Sequence, residues 1–343
     1  MLQVKQSHTR SLVHVPLSIA TIVLLYSGAA SAQGYDDAFE MKNKLKVEVQ
    51  YADYGEYEYP EPILYHYSVS SYQKIQPFIV NFPELRSLVK FVRLVDWRTA
   101  LGIKYQYSDL KEDAAQHFAE LRVTRNLSES VIGLGMVQFV HDTRGFSSIQ
   151  GGVGGQWDIN VLTSLQGDMQ YYARGSGATA VGGSMGTWNL RIKARRVITI
   201  STALQGEYIY YNASGDNISF RSHTAGIWIS QYLPTESAVH LHFRYYTNSM
   251  GIHSIAPSLE IAHYLDYATV LSLKLRYYEN KSANVSLGES DVIIPDGLRS
   301  RSLSLQLNRE FGNSVLAYLK YRYYTSSLDV QMNTYMIGAV YSF

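Results

Sequence analysis

Tyr335-Met336-Ile337-Gly338-Ala339-Val340-Tyr341-Ser342-Phe343 alternates with a period of two, placing Tyr335, Ile337, Ala339, Tyr341 and Phe343 on one face. A strand patterned this way turns one face to lipid and the other to an aqueous interior, as in a transmembrane β-barrel. Tyr335, Ile337, Tyr341 and Phe343 form the expected signal for the barrel assembly machinery.

The alternation recurs upstream. Leu101, Ile103, Tyr105 and Tyr107 oppose Lys104, Gln106 and Ser108, and Val239, Leu241, Phe243 and Tyr245 oppose His240, His242 and Arg244. Leu271, Leu273, Leu275 and Tyr277 oppose Ser272, Lys274 and Arg276, while Val315, Ala317, Leu319, Tyr321 and Tyr323 oppose Lys320, Arg322 and Tyr324. Turn clusters separate such segments. The pattern predicts an all-β fold, an antiparallel transmembrane β-barrel of about 16 strands, with 14 or 18 as the neighbouring even counts. Strands are expected near 45–54, 63–71 and 97–109, and then on to 181–193, 198–211, 251–264, 315–326 and 331–343.

Composition supports this reading. The chain holds 29 Tyr against 8 Pro and 25 Gly, and tyrosine suits membrane interfaces because its ring lies among acyl chains while its hydroxyl reaches the head groups. The absence of Cys fits an exported protein, and a net charge of +1 excludes nothing. Lys5 and Arg10, the apolar run Leu17 to Tyr26 and the site Ala30-Ser31-Ala32 predict a signal peptide over 1–32. Residues 33–343 are then the barrel, located in the bacterial outer membrane.

Residues 72–96 depart from the pattern. Leu85, Leu88, Val89, Val92 and Val95 fit an amphipathic helix, a periplasmic or plug segment; Val89, Phe91, Arg93 and Val95 equally fit a strand. Lys281 to Leu298 reads as the one long outer loop.

Upward strands end in an internal repeat: Tyr171-Tyr172, Tyr208 with Tyr210-Tyr211, Arg244-Tyr245-Tyr246, Arg276-Tyr277-Tyr278 and Arg322-Tyr323-Tyr324. Neighbours alternate sides, so the first Tyr of each pair belongs to a lipid girdle and the second to the lumen. Arg244, Arg276 and Arg322, with Tyr172, Tyr211, Tyr246, Tyr278 and Tyr324, form the candidate path for an anionic or sugar-like solute. The bland alternative is that lumen charges pair across strands and the inner tyrosines pack the wall. Arg299 and Arg301 face outward as candidate contacts for lipopolysaccharide phosphates, or snorkel to the surface.

No catalytic site, metal or cofactor is expected. His141-Asp142 and His253-Ser254 are weak dyads, and His240 with His242 lacks a third ligand. Nothing suggests nucleic acid.

The Arg-Tyr-Tyr repeat and the closing Tyr341-Ser342-Phe343 resemble YaiO-type outer-membrane barrels and, more loosely, bacterial exopolysaccharide-secretion barrels, over roughly residues 160–343. The length of residues 33–343 divided among the strands predicts a monomeric barrel, and the Arg and Tyr repeat at its mouth a conduit that passes saccharide or exopolysaccharide across the outer membrane, with lipopolysaccharide around it and periplasmic polysaccharide export proteins below. A general small-solute porin is the alternative, and a non-conducting enzyme or envelope scaffold the second.

Overall fold

The computed structural model describes residue 39 and residues 41–53, 85–110, 114–143, 146–174, 186–215, 218–249, 251–281, 297, 299–312, 314–327 and 330–343. The expected signal peptide and the predicted strand at 63–71 lie outside these.

Among the described residues one antiparallel sheet closes on itself. Its first half comprises β1 (Lys44–Asp53), β2 (Leu85–Asp96), β3 (Thr99–Leu110), β4 (Ala114–Asn126), β5 (Val131–Asp142), β6 (Phe146–Asn160), β7 (Thr163–Arg174), β8 (Gly186–Val197) and β9 (Thr202–Gly215). The rest comprises β10 (Ile218–Leu233), β11 (Ser237–Asn248), β12 (His253–Ile255), β13 (Ser258–Asp266), β14 (Thr269–Lys281), β15 (Arg299–Phe311), β16 (Val315–Ser326) and β17 (Gln331–Ser342). β12 and β13 both lie between β11 and β14 and are one strand interrupted at Pro257, so the wall has 16 spans. β17 pairs with β1 along its length, from Lys44 opposite Ser342 to Asp53 opposite Asn333. Closure removes the free edges whose unpaired backbone groups lipid cannot satisfy.

Each wall strand separates its side chains as the alternation requires. Ile103, Leu121, Val137 and Phe139 are exposed on the lipid side, whereas Glu120, Gln138, Gln150 and Asp168 are buried on the inner side. Among the described residues, short turns such as 96–99, 160–163 and 266–269 close the end taken as periplasmic, since barrels of this kind turn tightly there.

Three of the short turns share one device. In Asp96-Trp97-Arg98-Thr99, Asn160-Val161-Leu162-Thr163 and Asp266-Tyr267-Ala268-Thr269, the first side chain accepts the backbone N–H two residues on, at 2.6, 2.9 and 2.7 Å. Each follows a register shift in the strand before it. The short polar side chain replaces the turn bond that the shift removes.

The second strand is a correction. Residues 85–96 form β2, paired with both β1 and β3, so this part of the 72–96 stretch is wall and neither helix nor plug. Its inner face carries Leu88 and Val92 beside Lys90, so apolar residues stand on both faces and blur the period of two. β1 and β2 are thus consecutive strands of the wall, and the expected long loop at Lys281 to Leu298 lies almost wholly outside the described residues. The expected strands at 181–193 and 198–211 are displaced to 186–197 and 202–215, because Ile198-Thr199-Ile200-Ser201 is a turn despite its β-branched residues.

Candidate functional site

The tyrosine repeat stands on β9, β11, β14 and β16, and the register fixes its geometry. Tyr211 shares a rung with Ser222 and Asn248, two residues above Tyr246; Tyr246 shares one with Ser254 and Asn280, two above Tyr278. Tyr278 in turn shares a rung with Ser300 and Ser326, two above Tyr324. The lower ends of these strands step identically: the rung of Ser237 reaches Leu271, two residues above Thr269, where β14 begins. The step is thus the stagger of the barrel itself, and the four tyrosines stay level around the wall.

Tyr211, Tyr246 and Tyr278 are each 2% exposed and Tyr324 4%, whereas Tyr208 and Tyr245 are 40% and 41% exposed on the lipid side. Three of the inner hydroxyls are engaged: Asn248 donates to Tyr246 at 3.1 Å, Tyr278 bonds Ser254, and Tyr324 bonds Ser300 and Ser326. These rings form a fixed frame packed into the wall, not a ring open to the channel. Tyr172 occupies the strand position opposite Gln150 and Thr187.

The arginines follow the same stagger. Arg244 exchanges backbone hydrogen bonds with Ala256, Arg276 pairs with Ser258 and Ser302, and Arg322 pairs with Ser304. Arg244 meets Glu207 at 3.7 Å over Gly226, on whose small surface the Trp228 ring lies, stacked 3.9 Å from His242. Lys274 holds Glu260 at 2.8 Å. Neither Arg276, Arg322 nor Lys320 forms an ion pair with a carboxylate of the described residues, and the Arg322 guanidinium lies 6.0 Å from the Tyr324 ring centre.

On the opposite wall the acids are paired. Glu120 is held by Arg122 at 2.6 Å and Gln138 at 2.6 Å, and Asp168 by Arg191 at 2.7 Å and Gln170 at 3.0 Å. A further lumen cluster surrounds Glu48, with Lys46 at 3.0 Å and Arg86 at 3.4 Å. Sequence reasoning missed it because β2 was placed elsewhere. The signal available was Lys46 and Glu48 alternating with Leu45, Val47 and Val49.

The remaining candidates are placed as follows. His240 bonds Ser230 at 2.8 Å, and His141 bonds Ser147 at 2.9 Å on the outward face. Tyr335, Ile337 and Phe343 are exposed to the lipid side; Phe343 stacks on Phe91 and Tyr341 at 6.1 and 5.4 Å. Arg299 is ion-paired with Glu279 at 3.3 Å, and Arg301 lies two residues lower on the same outward face. The sequence also gave no notice of three outward hydrogen bonds between girdle residues, Tyr105 to His117, Tyr208 to His223 and Tyr245 to His253, at 2.8, 2.7 and 3.0 Å.

This chain is similar in structure to a bacterial polysaccharide outer membrane secretin, with 9% identity, a TM-score of 0.59 and coverage of 88% of this chain and 98% of that one. The fold is that of a bacterial outer-membrane β-barrel. A second likeness is to CdiB from Acinetobacter baumannii, at 10% identity and a TM-score of 0.59, covering 88% of this chain and 60% of that one. No protein-family model and no curated protein sequence matches the chain. The barrel is located in the outer membrane, in keeping with its oily exterior, polar interior and level aromatic girdle.

Proposed function

We propose that the barrel is a conduit for an anionic saccharide chain, with Arg276 and Arg322 as the groups that meet the cargo, Arg244, Tyr211, Tyr246, Tyr278 and Tyr324 as their frame, and Tyr172 as a further candidate along the path. The observation that carries this reading is the cluster of inward bases on β14 and β16. Arg276, Lys320 and Arg322, without carboxylate partners among the described residues, stand together on β14 and β16, while Glu120 and Asp168 across the lumen are already paired. A guanidinium presents forked donors to carboxylate or sulfate groups, and a wall of packed tyrosines keeps it from folding away. Periplasmic polysaccharide export proteins would supply the chain from below.

The test is single-channel recording of the mature chain in a planar bilayer with acidic and neutral oligosaccharides. Acidic chains should block the current for long intervals and neutral ones briefly. Arg276→Ala with Arg322→Ala should shorten the acidic blocks by about tenfold or more, the worth of one or two charge-assisted hydrogen bonds. Equal, brief blocks by both sugars would make the barrel a general porin, and a silent barrel would remove the transport reading.

A further inference from the structure

We propose that the outward face around Pro257 is a binding site for one phosphorylated acyl lipid of the outer leaflet, with an acyl chain in an apolar depression and the phosphate on Arg301. Pro257 lies on the same rung as Phe243 and Tyr277, and its flat ring sits between two large side chains that project into the membrane. With Leu275 and Leu303 beside it, the result is a lipid-facing hollow of about 700 Å³. A single extended acyl chain matches that shape better than the bulk bilayer does, and each methylene seated there gains the packing contacts a gap would forfeit.

The upper edge of the hollow supplies the other half of the site. Arg301 lines it, on a rung with Tyr277 and two residues above Tyr323, at the boundary between aromatic girdle and head groups. Glu279, two residues above Tyr277 on this face, is already engaged. Glu279 takes the Arg299 guanidinium on one oxygen at 3.3 Å and the Tyr277 hydroxyl on the other at 3.0 Å. Arg301 forms no ion pair with a carboxylate of the described residues, so its fork of donors faces the layer where lipid phosphates lie. An uncharged lipid would fill the hollow and leave that guanidinium unanswered. Of the two outward arginines, then, Arg301 is the lipid contact and Arg299 the one that holds the acid aside.

The purified mature chain in detergent micelles, studied by native mass spectrometry, tests this. The probes are a bisphosphorylated, multiply acylated glucosamine disaccharide, the same lipid without phosphates, and inorganic phosphate as competitor. The phosphorylated lipid should be retained at one copy, and Arg301→Gln should weaken it by about tenfold or more. Glu279→Gln, which releases Arg299 to the same layer, should tighten it, and Leu275→Ser should weaken it. Heat-dependent electrophoretic mobility would confirm that each variant is folded. Equal retention of the lipid without phosphates, unchanged affinity in Arg301→Gln, or full displacement by inorganic phosphate at equal concentration would each overturn the proposal.

Discussion

The Tyr318 hydroxyl on β16 donates a 2.5 Å hydrogen bond to the Glu48 carboxylate on β1, crossing β17, the strand that lies between them. The crossing is possible because Gly338 shares the rung of both residues, and a Cβ there would overlap the Tyr318 ring. Three strands at the seam between the two ends of the barrel are thereby tied by one side chain. Lys46 lies 5.6 Å from the centre of the same ring and 3.0 Å from the Glu48 carboxylate, so it joins the same contact.

Filling that slot should therefore loosen the seam. Gly338→Val is expected to lower stability by about 1–3 kcal/mol through overpacking. Tyr318→Phe should cost about 1.5–3 kcal/mol by removing a hydrogen bond to a charged, buried group. Urea unfolding in lipid vesicles measures both. A Gly338→Val barrel as stable as the parent would show that the seam does not depend on the slot.

The described residues before β1 reach across the periplasmic end of the lumen. Asn43 accepts the backbone N–H of Leu94 at 2.7 Å, while Phe39 is buried against Leu134 and Ile132 of β5. Phe39→Ala should release this chord and raise single-channel conductance, and Phe39→Tyr should not. Equal conductance in Phe39→Ala and the parent would mean that ions bypass the segment.

The acidic turns carry a pH signature. The backbone N–H of Arg98 holds the Asp96 carboxyl below its ordinary value, and that of Ala268 does the same for Asp266. A lowered carboxyl stabilises the fold fully above the unfolded value of about 3.9, and the contribution fades as pH falls through the lower folded value. In nuclear magnetic resonance spectra, the Arg98 and Ala268 amide protons should titrate with midpoints below that value. Leu162, bonded to Asn160 in the matching turn, should show no such step.

The outward imidazoles offer a check on the girdle. If the hydroxyls of Tyr105, Tyr208 and Tyr245 donate to Nδ1 of His117, His223 and His253, each neutral ring carries its proton on Nε2. Nitrogen-15 shifts should report that tautomer for His223 and lose it in Tyr208→Phe. A Nδ1-protonated His223 in the parent would reverse the direction of the bond.

β14 and β16 were legible in the sequence because oily and wet residues alternate without exception through Leu271 to Arg276 and Leu319 to Arg322. β2 was not, since Leu88 and Val92 bring apolar side chains to the inner face and imitate helical spacing. Ile198 and Ile200 misled for the opposite reason: β-branched residues dip toward the lower interface from a turn, at 55% and 108% exposure. Pro257 was read through as part of one strand over 251–264, which is right for the span but misses the hollow it makes. The alternation also told the inner tyrosines from the outer ones. It carried no trace of the contact between Glu48 and Tyr318, which depends on the first and last strands meeting in one register.

The stagger of the tyrosine frame bears on how such a barrel changes over evolutionary time. Each hairpin brings its own Tyr at the offset the wall imposes, so duplicating or deleting a hairpin would leave the remaining tyrosines level and their hydroxyl contacts within reach. Channel bore is set by how many hairpins there are, and mouth chemistry by what each one carries. The two properties are separately inherited, and a lineage built on this repeat could widen or narrow its passage without redesigning its rim.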